Sequence, residues 1–471
     1  MKRSSNFGNW HSFLKVVVVA VLVLVLSGLG GVKLFAMGKV DTIENQMEVE
    51  KESEFGLPYR ATEKQMQWFR DAKFGMFIHW GPVSVSGGEL SWSRGAKRPF
   101  DIRGGVSPSE AGWEKLLVPV ERYDNLYKEF NPVKFNADQW VEIAKDAGMK
   151  YMVLTAKHHD GFSNFDTKVS EYDIMNGPFK RDIVGELAAA CQKGGVKYGH
   201  YYSQRDWYNP DYLIGDNSKY NAFMHEQIRE LLSNYGKIDI MWFDSFGISD
   251  IEKDWNVDEL ITMIRGLQPG ILINNRLSAI GSGKNRPKKY LGDYDTPEGR
   301  VGKFQTDRAW ESCITLVGHQ WSWMPGGEMS SFKECIDKLV MCVCGDGNLL
   351  LNVGPMPTGE IEARQVARFK EMGDWLGKYG ESIYGTRGGP VVPGDWGGTT
   401  YKGKTVYVHV LKWDEDVLSL PAMGKIKDCR VLTGGKAEIV QDENGVRISV
   451  NEKDRDPIDT IIRLKLKSGV K

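Results

Sequence analysis

Cysteine is scarce in this chain: six in 471 residues, at Cys191, Cys313, Cys335, Cys342, Cys344 and Cys429, with no Cys-x-x-Cys pair. That pattern does not indicate a disulfide scaffold. Cys335, Cys342 and Cys344 fall in an apolar segment that reads as a helix, where buried free thiols are expected. Charge of one sign is lacking too. Lys and Arg number 61 against 62 Asp and Glu, a formal net charge of −1, so the balance calls for neither nucleic acid nor an acidic membrane as partner. No Gly-rich nucleotide fingerprint follows the first strand-like run, and GSGKNRPKK from Gly281 lacks P-loop spacing and reads as a solvated basic loop.

Long apolar runs are also missing. The one at Val16–Leu26 (VVVVAVLVLVL) falls short of the roughly 20 residues that span a bilayer. It follows Lys2, Arg3 and Lys15, and a basic head before an apolar stretch of this length is a secretory signal. Extending the run takes in Gly28, Gly30, Gly31 and Lys33, so a cleaved signal over residues 1–36 is preferred to a retained anchor. No cysteine adjoins it, which argues against a lipoprotein. The expected destination is the periplasm or the outside of the cell.

Aromatic residues, by contrast, are plentiful: 15 Trp, 18 Tyr and 19 Phe. Flat rings of this kind cover the apolar face of a pyranose, although a large core would use them equally well. The length suits two or three domains. From about Tyr59 to Tyr384, strand-like runs alternate with amphipathic segments. The strand candidates begin at Phe74 (FGMFIHW), Tyr151 (YMVLTAKH), Val196 (VKYGHYYS), Ile238 (IDIMWFD), Ile271 (ILINNR) and Asn348 (NLLLNVG). Helical patterns such as ADQWVEIAKDAG, DIVGELAAACQKGG and VDELITMIRGLQPG lie between them. Such alternation indicates a parallel sheet with crossover helices. At this length the leading α/β architecture is a (β/α)8-like TIM barrel over residues 55–386, with a doubly wound sheet as the alternative. After the Gly/Pro-rich linker GTRGGPVVPGDWGGTT, short runs of period two (TVYVHVL, CRVLTG, RISV, TIIRLKLK) suggest a small antiparallel β-sandwich over residues 387–471. It carries no evident chemistry.

Polar residues gather where the strand candidates end. His79 ends the first, and His158, His159 and Asp160 end the second. Tyr201, Tyr202 and then Asp206 follow the third, Asp244 ends the fourth and Arg276 the fifth. In a parallel barrel these ends share one face, which holds the active site. Asp244, in IMWFDS, suits a nucleophile, a base or a metal ligand. Glu298, in GDYDTPEGR, supplies a second carboxyl, and a pair of carboxyls is what glycoside hydrolysis requires. The rival reading is a metal site built from His79, His158, His159 and Asp244. Adjacent residues on a strand point to opposite faces, which weakens it.

These residues carry a family resemblance. WFRDAKFGMFIHWGPVS, FNPVKFNADQWVEIAKDAGMKYMVLTAKHHDGF, GPFKRDIVGELAAACQKGGVKYGHYYSQRDWY, IDIMWFDS, LINNR, GDYDTPE, WESC, GDGNLLLNVGPMPTGEIE and GDWLGKYGESIYGTRGGP occur in that order. Together, from about Met66 to Pro390, they resemble glycoside hydrolase family 29, the α-L-fucosidases. The resemblance implies a barrel followed by a β-sandwich, retention of configuration, no cofactor, no metal and a fucosylated glycan as substrate. It implies Asp244 as nucleophile and His79, His158, His159, Tyr201, Trp242 and Arg276 as fucose-binding residues. In the first βα loop the family's Glu-Trp pair corresponds to the separated Glu89 and Trp92 of GGELSWSRG. Glu298 is the first choice for the acid/base, and Glu311 in WESC the second; Glu311 is expected to start a helix or to partner Arg276. A related glycosidase for another terminal sugar such as galactose, or a catalytically silent sugar-binding relative, are the alternative functions.

Overall fold

The structure is a computed structural model that describes residues 60–95, 117–244, 255–277, 292–318 and 320–470. The expected signal at 1–36 and the basic loop from Gly281 lie outside the described residues. Among the described residues no helix is long and apolar enough to cross a membrane.

A capping box formed by Thr62 and Gln65 starts helix α1 (Glu63–Ala72), which leads into strand β1 (Phe74–Ile78). Helices and strands then alternate: α2 (Ala137–Asp146), β2 (Tyr151–Lys157), α3 (Ile183–Gly194), β3 (Lys197–Tyr202), α4 (Ser218–Ser233), β4 (Ile240–Phe243), α5 (Val257–Leu267) and β5 (Leu272–Ile273). After β6 (Glu311–Thr315) come α6 (Phe332–Cys344), β7 (Asn348–Val353) and α7 (Ala363–Tyr379). Asn136 and Asp182 cap α2 and α3 by accepting from backbone N–H groups, and the left-handed Gly195 ends α3.

The seven strands are parallel, in the order β5-β4-β3-β2-β1-β7-β6. The two edges are joined by an irregular stave. Tyr294 bridges Asn274 beside β5, and Asp295 and Glu298 bridge Trp310 and Cys313 beside β6, all in parallel sense. The sheet thereby closes into the expected barrel, with residues 294–298 in the eighth position.

Strand alternation sorts the side chains. Met76, Met152, Met241, Leu349 and Leu351 point outward into the layer beneath the helices. Phe77, Tyr151, Tyr201, Trp242, Cys313 and Leu350 fill the barrel interior. Both faces of the strands are covered, so β1, β2, β4 and β7 are buried throughout. Gly75 makes room for this filling: a Cβ there would lie 2.5 Å from the Tyr151 ring.

The segment around Glu311 departs from expectation. Glu311 starts strand β6, not a helix, and pairs with Asn348 of β7. Five residues, ESCIT, are too few to display a period, and the strand is set by its slot between β7 and the irregular stave rather than by local pattern.

Strands β8 (Arg387–Gly388), β9 (Gly397–Lys402), β10 (Thr405–Val410), β11 (Val417–Leu420), β12 (Ile426–Val431), β13 (Ala437–Asp442), β14 (Gly445–Val450) and β15 (Thr460–Leu466) form two antiparallel sheets, β12-β15-β10-β9-β8 and β11-β14-β13. Val406, Val408, Val410, Ile448, Ile462 and Leu464 pack between them, as the period-two runs require. The six cysteines are free, and all but the half-buried Cys429 are buried.

Candidate active site

The inward positions of the strands, continued two residues past the aromatic filling, build the site. His79 stands two residues beyond Phe77, Asp244 two beyond Trp242 and Asn352 two beyond Leu350. Each is carried to the C-terminal mouth of the barrel by the same alternation that buries its predecessor.

Asp244 follows β4 directly. Its Oδ2 accepts from the Tyr201 hydroxyl at 2.6 Å and its Oδ1 from Arg276 Nη1 at 2.9 Å, while its backbone N–H donates to Gln204 Oε1 at 2.9 Å. Burial pushes the carboxyl up, but the Arg276 guanidinium and the Tyr201 hydrogen bond outweigh it and hold Asp244 below the usual range. Burial and the neighbouring carboxylate raise Tyr201 well above an ordinary phenol, so it stays a donor. Asp244 is thus an anion, with 18% of its side chain open to the mouth.

Arg276 is locked in place. Its Nε and Nη2 donate to Thr296 Oγ1 at 2.8 Å and to the Thr296 carbonyl at 3.1 Å, and its guanidinium lies 4.5 Å from the Trp242 ring. Burial alone would lower its pKa, but Glu298 and Asp244 more than reverse that, so it remains charged. Its Nη1 also lies 2.8 Å from Glu298 Oε2. Because Arg276 Nη1 lies 2.8 Å from one carboxylate oxygen and 2.9 Å from the other, the two carboxyl groups are close enough to admit the roughly 5–5.5 Å of a retaining pair and too close for the roughly 6.5–9.5 Å of an inverting one. Glu298 ends the irregular stave and has 47% of its side chain exposed.

Glu311 lies elsewhere. It is fully buried inside the barrel, where it accepts hydrogen bonds from the Tyr151 hydroxyl and from Trp242 Nε1 at 3.1 Å. Burial pushes its carboxyl up to about 7. It supports Trp242 from below and does not reach the mouth.

His158 and His159 do not diverge as residues of a strand would. Their ring centroids lie 4.1 Å apart. β2 ends at Lys157, and the next residues form a turn that closes on Gly161 at φ +86°, so strand alternation no longer applies. His159 Nε2 lies 3.7 Å from Asp244 Oδ2, and His158 stacks on Tyr201 at 5.3 Å, which itself stacks on Trp242 at 5.4 Å. His158, His159 and Asp244 could each offer a ligand atom within 4.8 Å of the others. His79 is not part of that group. The Arg276 cation already occupies the same carboxylate, which disfavours a second cation there.

Trp92 stands at the rim, 5.5 Å from His159 and 5.4 Å from Trp207. Glu89 is fully buried behind it. Its oxygens accept from the backbone N–H groups of Leu90 at 3.1 Å and Trp321 at 2.8 Å, and burial pushes its carboxyl well up. It fixes the loop that brings Trp321 to 4.8 Å from His79. Asp160 and Asp206, also at strand ends, face buried partners: Tyr123 donates to Asp160 at 2.7 Å, and Lys157 lies 3.3 Å from Asp206.

Several contributors were not singled out from the sequence: Asn352, Ser91, Ser203, Gln204, Thr296 and Trp321. Asn352 alone carried a usable signal, since it follows the apolar run LLL at a strand end much as Asp244 follows IMWF.

A parallel barrel whose mouth holds an ionised carboxylate, and a second carboxyl at this distance, has the arrangement of a retaining glycoside hydrolase. The family model for α-L-fucosidase matches residues 42–381. Bovine tissue α-L-fucosidase is 32% identical over 373 residues, covering 75% of this chain and 76% of that protein. α-L-Fucosidase isoenzyme 1 from Paenibacillus thiaminolyticus superposes with a TM-score of 0.73 at 33% identity, covering 86% of this chain and 99% of that one. A Bacteroides thetaiotaomicron α-L-fucosidase of family 29, trapped as a covalent intermediate, superposes with a TM-score of 0.74 at 30% identity, covering 87% and 99%. The chain belongs to the α-L-fucosidase family, glycoside hydrolase family 29.

Proposed function

We propose that this protein is an exported retaining α-L-fucosidase that removes terminal fucose from glycans by double displacement. The observation that carries the reading is Arg276 Nη1 within hydrogen-bond distance of both Asp244 and Glu298. Asp244 attacks the anomeric carbon as the bond to the leaving oxygen breaks, and Glu298 gives that oxygen its proton. Glu298 then takes a proton from water, which attacks the same carbon and releases Asp244. Two inversions give net retention. Tyr201 and Arg276 hold the attacking carboxylate in its ionised form. His79, His158, His159, Tyr201, Trp242, Arg276 and the rim residue Trp92 bind the sugar, and Glu89 shapes their wall through Trp321. The catalytic unit is residues 55–386, with a β-sandwich at 387–471. The basic head and apolar run within residues 1–36 support export as a cleaved signal.

The test is Asp244→Gly assayed on an aryl α-L-fucoside with and without azide. The expected result is a loss of several decades in turnover. Azide entering the vacated space should restore part of it and give fucosyl azide of inverted, β configuration. More than about a tenth of wild-type activity without azide, or α-configured azide product, would reject Asp244 as the nucleophile.

A further inference from the structure

Two of the buried sugar-facing histidines are held by partners that differ in hydrogen-bonding sense. His79 Nδ1 meets Asn352 Oδ1 at 2.7 Å. The orientation of that amide is fixed, because Asn352 Nδ2 donates to the Trp321 carbonyl at 2.6 Å. An amide oxygen can only accept, so His79 must donate from Nδ1. Its Nε2 then carries a lone pair. His158 Nδ1 meets Ser91 Oγ at 2.6 Å, and that oxygen already accepts from the backbone N–H of Asp160 at 2.8 Å. Among the described residues the Ser91 hydroxyl hydrogen has no acceptor other than His158 Nδ1, and that bond places the His158 proton on Nε2. Among the described residues neither Nε2 has a hydrogen-bond partner. The two rings lie 5.6 Å apart in edge contact.

We infer that Asn352 and Ser91 are positioning residues that set opposite tautomers in His79 and His158, so that the wall offers a bare acceptor beside an N–H donor to the hydroxyl groups of the sugar. A sugar hydroxyl donates its hydrogen to His79, and the same or a neighbouring hydroxyl accepts from His158. The arrangement works only while His79 is neutral. Burial holds it down to about 4, partly opposed by the Asn352 bond and the Asp244 charge. The charged or titratable groups facing it are Asp244 beyond β4, Arg276 beyond β5, His158 beyond β2 and Tyr201 on β3. Burial, and then the neighbouring His159 and His79, hold His158 well below the usual imidazole range.

The inference rests on the fucosidase reading for its ligand, but the tautomers can be read without substrate. Long-range proton–nitrogen spectra of protein labelled with 15N-histidine should show, at pH 7, one ring protonated on Nδ1 that changes in Asn352→Leu. They should show one protonated on Nε2 that changes in Ser91→Ala. Finding both rings in the same tautomer overturns the inference whatever the enzyme does. Kinetics supply the second arm, on aryl α-L-fucosides lacking the 2-, 3- or 4-hydroxyl. Asn352→Leu should lower kcat/KM about tenfold or more on the parent substrate, and less than about twofold on the one analogue that lacks the hydroxyl bonded to His79. An equal loss on all four substrates would mean a structural role only. Asn352→Asp places a carboxylate on the Nδ1–H and favours the imidazolium, so the acidic limb of its kcat/KM profile should move up by about one pH unit or more. An unmoved limb would show that Asn352 does not act through His79.

Discussion

Glu311 lies inside the barrel beneath Trp242, and its burial makes a quantitative prediction. Its carboxyl is shielded from solvent inside the barrel and holds its proton up to about 7, against 4.5 for an exposed glutamate. The folded state therefore binds more protons than the unfolded chain between those two values. The stabilisation is fully present below pH 4.5 and is lost as the pH rises through 7. At 1.36 kcal/mol per pH unit the difference amounts to about 3 kcal/mol. Glu311→Gln removes the titration and keeps the geometry, since the amide oxygen can accept from Trp242 Nε1 and the amide nitrogen can donate to the Tyr151 oxygen. Urea unfolding followed by tryptophan fluorescence, at a series of pH values, gives the stability of wild type and variant. The wild type should lose about 3 kcal/mol relative to the variant between pH 4.5 and 8, the other titrating groups cancelling in the comparison. A difference that stays flat within about 0.5 kcal/mol would refute the reasoning. Kinetics on the same variant separate two roles for Glu311. A residue that only supports Trp242 leaves the leaving-group dependence of the reaction unchanged, whereas an acid/base does not.

In the proposed mechanism that dependence belongs to Glu298. Glu298→Ala should slow fucosides with poor leaving groups far more than activated aryl fucosides, whose departure needs little protonation, so that the latter show the loss mainly in deglycosylation. Equal losses across a leaving-group series would remove Glu298 from the role. Fucose bears a methyl group where galactose bears a hydroxymethyl, and a wall rich in Trp and Tyr should favour the methyl by about 1–3 kcal/mol, roughly 10–200-fold. Matched aryl α-L-fucosides and β-D-galactosides measure this through kcat/KM, and equal or reversed efficiencies would contradict it.

The parts of the fold that were legible in the sequence are those where one physical rule acts over many residues. β1, β2, β4 and β7 are buried on both faces because helices cover one and the barrel interior the other, so their apolar runs are nearly continuous. The C-terminal strands alternate because each sheet buries one face. β6 was not legible, and neither was the stave at 294–298. Both are short and polar, and they are held by pairing with strands distant in sequence: Glu311 with Asn348, Asn274 with Tyr294. The closure of the barrel is thus a tertiary fact with no local pattern behind it.

The site divides along the same line. The residues proposed to face the sugar sit at the ends of recognisable strands, and the sequence order of His79, His158, Tyr201, Asp244 and Arg276 follows the strand order directly. The groups that hold them do not. Asn352 is 273 residues from His79, Ser91 is 67 from His158, and Thr296 is 20 from Arg276 across the irregular stave. Periodicity says which face a side chain takes, but not which distant side chain meets it. The same limit explains the two histidines after Lys157. Alternation predicts divergence for adjacent strand residues, and it fails where the strand stops, because the turn at Gly161 brings both rings to one side. Convergence at that point is what lets His158 stack on Tyr201 while His159 approaches Asp244, so a single turn supplies two walls of the pocket. A strand β2 continued through His158 and His159 would break that arrangement without changing the identity of either residue, since it would send their rings to opposite faces.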